Sequence, residues 1–161
     1  MSARILTLRE LNRATLARQL LLERQTISVL DAVERLAGLQ AQVPSPPYVG
    51  LWTRLRDFRR EELTRRMEER QVVRATLMRA TLHLMAAEDY LLLRPALQPA
   101  LTRSMNSIAG KRLEGLDLDR ILGTAREYFE SEPRPFADFR LVLAELEPER
   151  DQSALEYAVR T

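Results

Sequence analysis

The sequence predicts a mainly α-helical protein in which one short β-hairpin interrupts the helices. Three observations lead there. From Leu8 to Met67, apolar residues recur three or four apart, the spacing of a helix that buries one face. Between Gln71 and Met85 the period shortens toward two, and Val72, Val73, Thr76 and Thr81 favour strands. From Ala87 onward the helical spacing returns, broken by prolines. Helices followed by a short hairpin make a winged helix-turn-helix, and the later helices open a second, incomplete unit of the same kind. The expected divisions are a winged-helix unit over 1–86, a helical connector over 87–115 and the start of a second unit over 116–161.

Each element has its own signal. Thr7 and Glu10 stand at capping-box spacing before a helix of about 8–21, whose apolar stripe is Leu8, Leu11, Thr15/Leu16 and Leu20. Ser28, with Asp31 three residues on, caps a second helix that ends near Gly38. Pro47 suits the first turn of a third, with Tyr48, Leu51, Trp52 and Leu55 facing inward. A fourth helix, about 60–69, is anchored by Leu63 and Met67 and is otherwise charged. The hairpin over 71–85 lacks an Asn-Gly turn, so its register stays open.

After the hairpin, Pro95 and Pro99 suggest a short helix to about Leu93 and a longer one from Pro95 to about Ala109. The stripe of the longer helix is Leu97, Leu101, Met105 and Ile108. Asp117 can cap the next helix, with Leu118, Ile121, Leu122, Ala125 and Phe129 on its inner face. Pro133 and Pro135 separate it from an amphipathic run through Phe136, Phe139, Leu143 and Leu146. A last helix comes after Pro148, around 151–160, and its Leu155/Val159 face is expected to be exposed, either to meet a partner or because the chain continues.

Composition narrows the function classes. The chain has 161 residues, 45% of them hydrophobic and 30% charged, which are ordinary globular values. With no cysteine it has neither a disulfide framework nor a thiolate site. No apolar run is long enough to span a bilayer, and the first residues contain no signal-peptide core. A cytoplasmic location without membrane association is the expectation. The net charge of +2 is uneven: residues 1–83 carry +6 and residues 84–161 carry −4. A basic N-terminal half is what a polyanion binder needs. The spacings contain no metal-binding cluster, Gly-rich phosphate loop or nucleophile triad, so no metal or cofactor is expected.

The stretch Leu39-Gln40-Ala41-Gln42-Val43-Pro44-Ser45-Pro46-Pro47-Tyr48-Val49-Gly50-Leu51-Trp52 stands apart. It holds three of the eight prolines and the single tryptophan. Gln40 and Gln42 are two residues apart, so in an extended segment both carboxamides point the same way. The prolines at 44, 46 and 47 stiffen the chain on the C-terminal side of the pair. Taken alone, these residues also suit a plain connector between helices.

Three runs together decide between those readings. They are Leu36 to Pro44, Pro47 to Trp52, and Arg74-Ala75-Thr76-Leu77-Met78-Arg79-Ala80-Thr81-Leu82-His83-Leu84. In these the chain resembles the AlkZ/YcaQ-type winged-helix DNA glycosylases, which release alkylated bases and unhook interstrand crosslinks. The catalytic signature of that family is Gln-Φ-Gln or Gln-Φ-Asp, and Gln40-Ala41-Gln42 matches the first form. Its members are usually more than twice as long and carry three tandem winged-helix units. This chain resembles the first unit and the start of the second.

The resemblance implies chemistry a carboxamide can support. Glutamine does not titrate near neutral pH and is a poor general base. Its oxygen can orient a water, and its NH₂ can hold a sugar or a base edge. An N7-alkylated purine already carries positive charge and leaves readily, so positioning and electrostatics suffice. Gln40 and Gln42 are the expected catalytic pair. Arg54, Arg59, Arg65, Arg66, Arg70, Arg74, Arg79, Thr81 and His83 are the candidate DNA contacts, although charged helix faces are as commonly just solvated and a lone histidine is more often structural. The expected partner is double-stranded DNA. The later winged-helix units are expected to be supplied elsewhere, or the chain to pair with itself. Two alternatives stay open: a non-catalytic winged-helix DNA-binding regulator, and a remnant that only pairs with another polypeptide.

Overall fold

The structure, a computed structural model, describes residues 5–161, and the chain divides into two compact units at Leu97/Gln98. In the first, the order is α1 (Leu8–Arg18), α2 (Val29–Arg35), β1 (Leu39–Gln40), α3 (Pro46–Trp52), α4 (Arg60–Glu68), β2 (Val72–Thr76) and β3 (Leu82–Ala86). The strands form one antiparallel sheet in the order β1-β3-β2. From α2 to β3 this is a winged-helix arrangement, with the β2–β3 hairpin as the wing. The winged helix-turn-helix expectation therefore holds, with one addition: a third strand, β1, directly carries Gln40.

Both predicted caps form. Thr7 Oγ1 accepts from the Glu10 amide, and the Thr7 N–H donates to the Glu10 carboxylate. Ser28 and Asp31 do the same at α2. Reciprocal caps satisfy amides that would otherwise lack partners in the first helical turn. The core gathers Val29, Ala32 and Val33 of α2, Ala41, Leu51 and Leu55, Leu63 of α4, and Val72 and Leu84 of the sheet. Leu51 and Leu63 are fully buried, and each such side chain contributes about 1.5–3 kcal/mol.

Two expectations fail in this unit. The apolar stripe of α1 is not buried, since Leu8 is 81% exposed and Leu11 and Leu16 are also exposed. The helix stops at Arg18, and the chain turns through Leu20, whose left-handed φ of 55° swings its side chain into the core as the anchor of this segment. Trp52 is 53% exposed, with the Arg24 guanidinium 4.4 Å over its ring. Pro47 and Leu51, four apart, take the inward face of α3, and Trp52, about 100° further round, faces out.

The wing turns through Met78–Ala80. Arg79 and Ala80 have φ of 57° and 54°, the successive left-handed pair that Asn-Gly supplies in a type I′ hairpin. Thr81 N donates to Met78 O at 3.2 Å and Leu77 N to Thr81 O at 3.0 Å, which closes the turn. Each left-handed non-glycine residue costs roughly 1 kcal/mol.

After the hairpin, α5 (Ala87–Ala109) runs as one helix through Pro95 and Pro99, where two helices were expected. A proline in a helix interior removes one backbone bond and costs roughly 3 kcal/mol, but it does not always end the helix.

In the second unit, α6 (Leu118–Ser131), α7 (Phe136–Leu146) and α8 (Gln152–Arg160) pack on one another. Asp117 caps α6 through the Arg120 amide, as expected. Ile121, Ala125, Phe139, Leu143, Ala154, Leu155 and Ala158 form the core, joined by Ala109 and Leu113. Leu155 is fully buried and Val159 packs against the same cluster, so the face expected to be exposed is an interior face. Ile108 is exposed and Ala109 takes its inward place, while Leu122 turns outward. Tyr128, Phe129, Phe136 and Phe139 form an aromatic group with ring centroids 5.1–6.1 Å apart. No described helix is long and apolar enough to cross a membrane.

Candidate active site

β1 exists because Gly38 lets it. Gly38 adopts φ of +97°, and a Cβ there would lie 2.7 Å from Leu84 O. Glycine alone suits both the left-handed backbone and that close approach. The chain leaves α2, turns at Gly38 and pairs at once with β3, Leu39 opposite Leu84 and Gln40 opposite His83. His83 is in turn opposite Ala75, so Gln40, His83 and Ala75 rise from one face of the sheet.

The strand ends at Gln40, yet the chain stays attached to β3. Ala41 is fully buried and its N–H donates to Leu82 O at 2.7 Å. Leu82 N donates to the side-chain oxygen of Gln42 at 3.1 Å. The Gln42 carboxamide thus takes the place the next backbone carbonyl would hold in the ladder. An amide N–H needs an acceptor, so Oε1 is the bound atom and Nε2 is left to turn outward. Gln40 is exposed, and its carboxamide bonds to none of the described residues. The two glutamines therefore differ: the oxygen of Gln42 is committed, and that of Gln40 is free to accept.

Arg74 on β2 holds the same segment from the other side. Its Nε donates to Ala41 O at 2.8 Å and its Nη2 to Gln42 O at 3.2 Å. His83 is buried, and its Nδ1 lies 2.9 Å from Thr81 O. A carbonyl can only accept, so that nitrogen carries the proton. Thr81 Oγ1 donates to Met78 O at 3.1 Å, inside the wing turn.

The remaining predicted DNA contacts fall into two groups. Arg54 reaches Gln19 O and Gly50 O, both at 2.8 Å, and lies near Thr53 Oγ1, tying the exit of α1 to α3. Burial pushes its guanidinium below the usual arginine range. Arg66 donates to Gln71 Oε1 and lies 3.7 Å from Glu69. Arg59, Arg65, Arg70 and Arg79 are exposed, with no side-chain hydrogen bond or ion pair to the described residues. Arg59 and Arg65 flank an open groove along α4 shared with Arg60, Glu61, Glu62, Thr64 and Glu68. Within α4, Arg60, Arg65 and Arg66 are balanced by Glu61, Glu62 and Glu68. That groove does not include the glutamines.

No set of three or more Asp, Glu or His side chains among the described residues stands close enough together to hold a metal ion. Sequence reasoning placed both glutamines on one extended, exposed segment; both are exposed, but the strand ends at Gln40 and Gln42 lies in a bend of the chain. That reasoning also missed the bond from Leu82 N to Gln42 and the part played by Arg74. The only signal for the latter was a basic residue on the strand beyond β3, which the pairing order had to reveal.

A family profile described as DNA glycosylase AlkZ-like matches residues 33–161. No match was found among curated proteins. Among solved structures, Streptomyces sahachiroi DNA glycosylase AlkZ is similar at 24% identity over 90% of this chain and 42% of that one, with a TM-score of 0.49. The chain thus spans less than half the length of that structure.

Proposed function

Because the chain belongs to the AlkZ-like DNA glycosylase family, we propose that it binds double-stranded DNA and hydrolyses the N-glycosidic bond of N7-alkylated purines, including those in interstrand crosslinks. The observation that carries this reading is the exposed glutamine pair: Gln42 pinned through its oxygen to Leu82 N, and Gln40, two residues before it, with a carboxamide that bonds to none of the described residues.

The pair divides the work. Gln40 Oε1 accepts a hydrogen bond from the attacking water and orients its lone pair toward C1′. Gln42 offers its NH₂ to the deoxyribose. As the C1′–N9 bond breaks, its electron pair moves onto the alkylated base and quenches the positive charge there. The water oxygen bonds to C1′, and its proton passes to solvent, because neither carboxamide can keep it. The barrier is lowered by placement and by fixed dipoles rather than by proton transfer. Arg59, Arg65, Arg70 and Arg79 supply the cationic contacts to phosphate, and α6–α8 form the helical part of a second winged-helix unit.

The test is base release from a duplex carrying 7-methylguanine, read as abasic-site cleavage in single turnover. Release by the unmutated chain is expected. Salt-sensitive DNA binding without any release would favour the regulator reading instead.

A further inference from the structure

The structure assigns to Arg74 the part of a positioning residue: it fixes the backbone under the glutamine pair, and phosphate contact is not its task. This rests on the proposed glycosylase reading. Three observations carry it. Arg74 spends Nε on Ala41 O and Nη2 on Gln42 O, the two carbonyls that come after Gln40. Ala41 is fully buried, so its carbonyl needs a protein partner. β1 ends at Gln40, and beyond it, among the described residues, the segment's hydrogen bonds to β3 are those of the Ala41 N–H and the Gln42 side chain.

The planar guanidinium fork suits two neighbouring carbonyls, and a lysine ammonium does not reproduce it. With the fork in place, Gln42 Oε1 stays on Leu82 N, and the spacing of the two carboxamides is set before DNA arrives. Without it, Gln42 is free to leave the sheet edge, and Gln40 loses a fixed neighbour. The cationic charge alone is not the point, which makes Arg74→Lys the informative variant.

The experiment measures three properties of the full chain and its Arg74→Lys and Arg74→Ala variants. These are affinity for a 7-methylguanine duplex across a salt series, the single-turnover release rate, and hydrogen exchange at the Leu82 amide. We expect Arg74→Lys to bind within about twofold, with an unchanged salt slope, while release falls at least about tenfold. Exchange at the Leu82 amide should rise in both variants at temperatures where circular dichroism finds them fully folded. A salt slope reduced by about one in Arg74→Ala, with release at saturating enzyme and Leu82 exchange both unchanged, would make Arg74 a phosphate contact and overturn the inference. If the unmutated chain releases no base, the glycosylase reading fails on its own. The exchange arm still decides whether Arg74 holds the segment.

Discussion

At Gly38 the chain passes from α2 into β1 with φ of +97° and no room for a Cβ beside Leu84 O. Gly38→Ala is predicted to lower stability by about 2 kcal/mol, from left-handed strain plus displacement of β3. Thermal or urea unfolding measures it, and a loss under about 0.5 kcal/mol would mean that β1 tolerates a shift. Asp151 makes a pH-dependent contribution in the second unit. Its carboxylate is bonded by the Ser153 hydroxyl, the Ala154 amide and Arg112, and these hold its pKa down to about 2. A depressed folded-state pKa adds stability above the usual carboxylate value and loses it as pH falls. Stability attributable to this cap should therefore be complete above about pH 4 and disappear toward about pH 2. Asp151→Asn should flatten that part of the pH profile, and an unchanged profile would mean that the cap adds no pH-dependent stability.

Among the elements, the wing stores the clearest strain, with Arg79 and Ala80 both left-handed. Replacing them with Asn-Gly should stabilise the chain by about 1 kcal/mol in chemical denaturation. The same change should make the salt dependence of DNA binding shallower by about one if Arg79 meets phosphate. A gain in stability with unchanged binding would leave Arg79 as solvated charge. This wing also marks where the sequence stops being legible. Its strands come from the period-two run between Val72 and Met85, but its turn does not, because neither Arg nor Ala announces a left-handed pair. The caps at Thr7, Ser28 and Asp117 were readable, since capping is a local hydrogen-bond rule. The stripe of α1 was legible as a pattern, but its burial was not, because burial depends on a neighbour that spacing alone does not provide. Pro95 and Pro99 misled for a related reason: a local breaking signal was overridden along α5. In the site, the exposure of both glutamines and the extended strand under Gln40 were readable after Gly38, but Gln42 lies past the end of that strand, in a bend of the chain. The Leu82 and Arg74 bonds depend on strand order and could not be read.

Across the whole chain, charge and chemistry share one half of the sequence. Residues 1–83 carry +6 and contain the glutamine tip, whereas residues 84–161 carry −4. On the proposed reading, DNA affinity and base release are separable, because arginines supply the first and two uncharged side chains the second. The most direct measurement compares the unmutated chain with Gln40→Ala/Gln42→Ala on a 7-methylguanine duplex, with binding and single-turnover release read in the same salt series. We predict release slowed by about 10²-fold or more, with affinity and salt slope nearly unchanged. Release that survives both substitutions, or that falls only in step with binding, would contradict a catalytic role for the carboxamide pair.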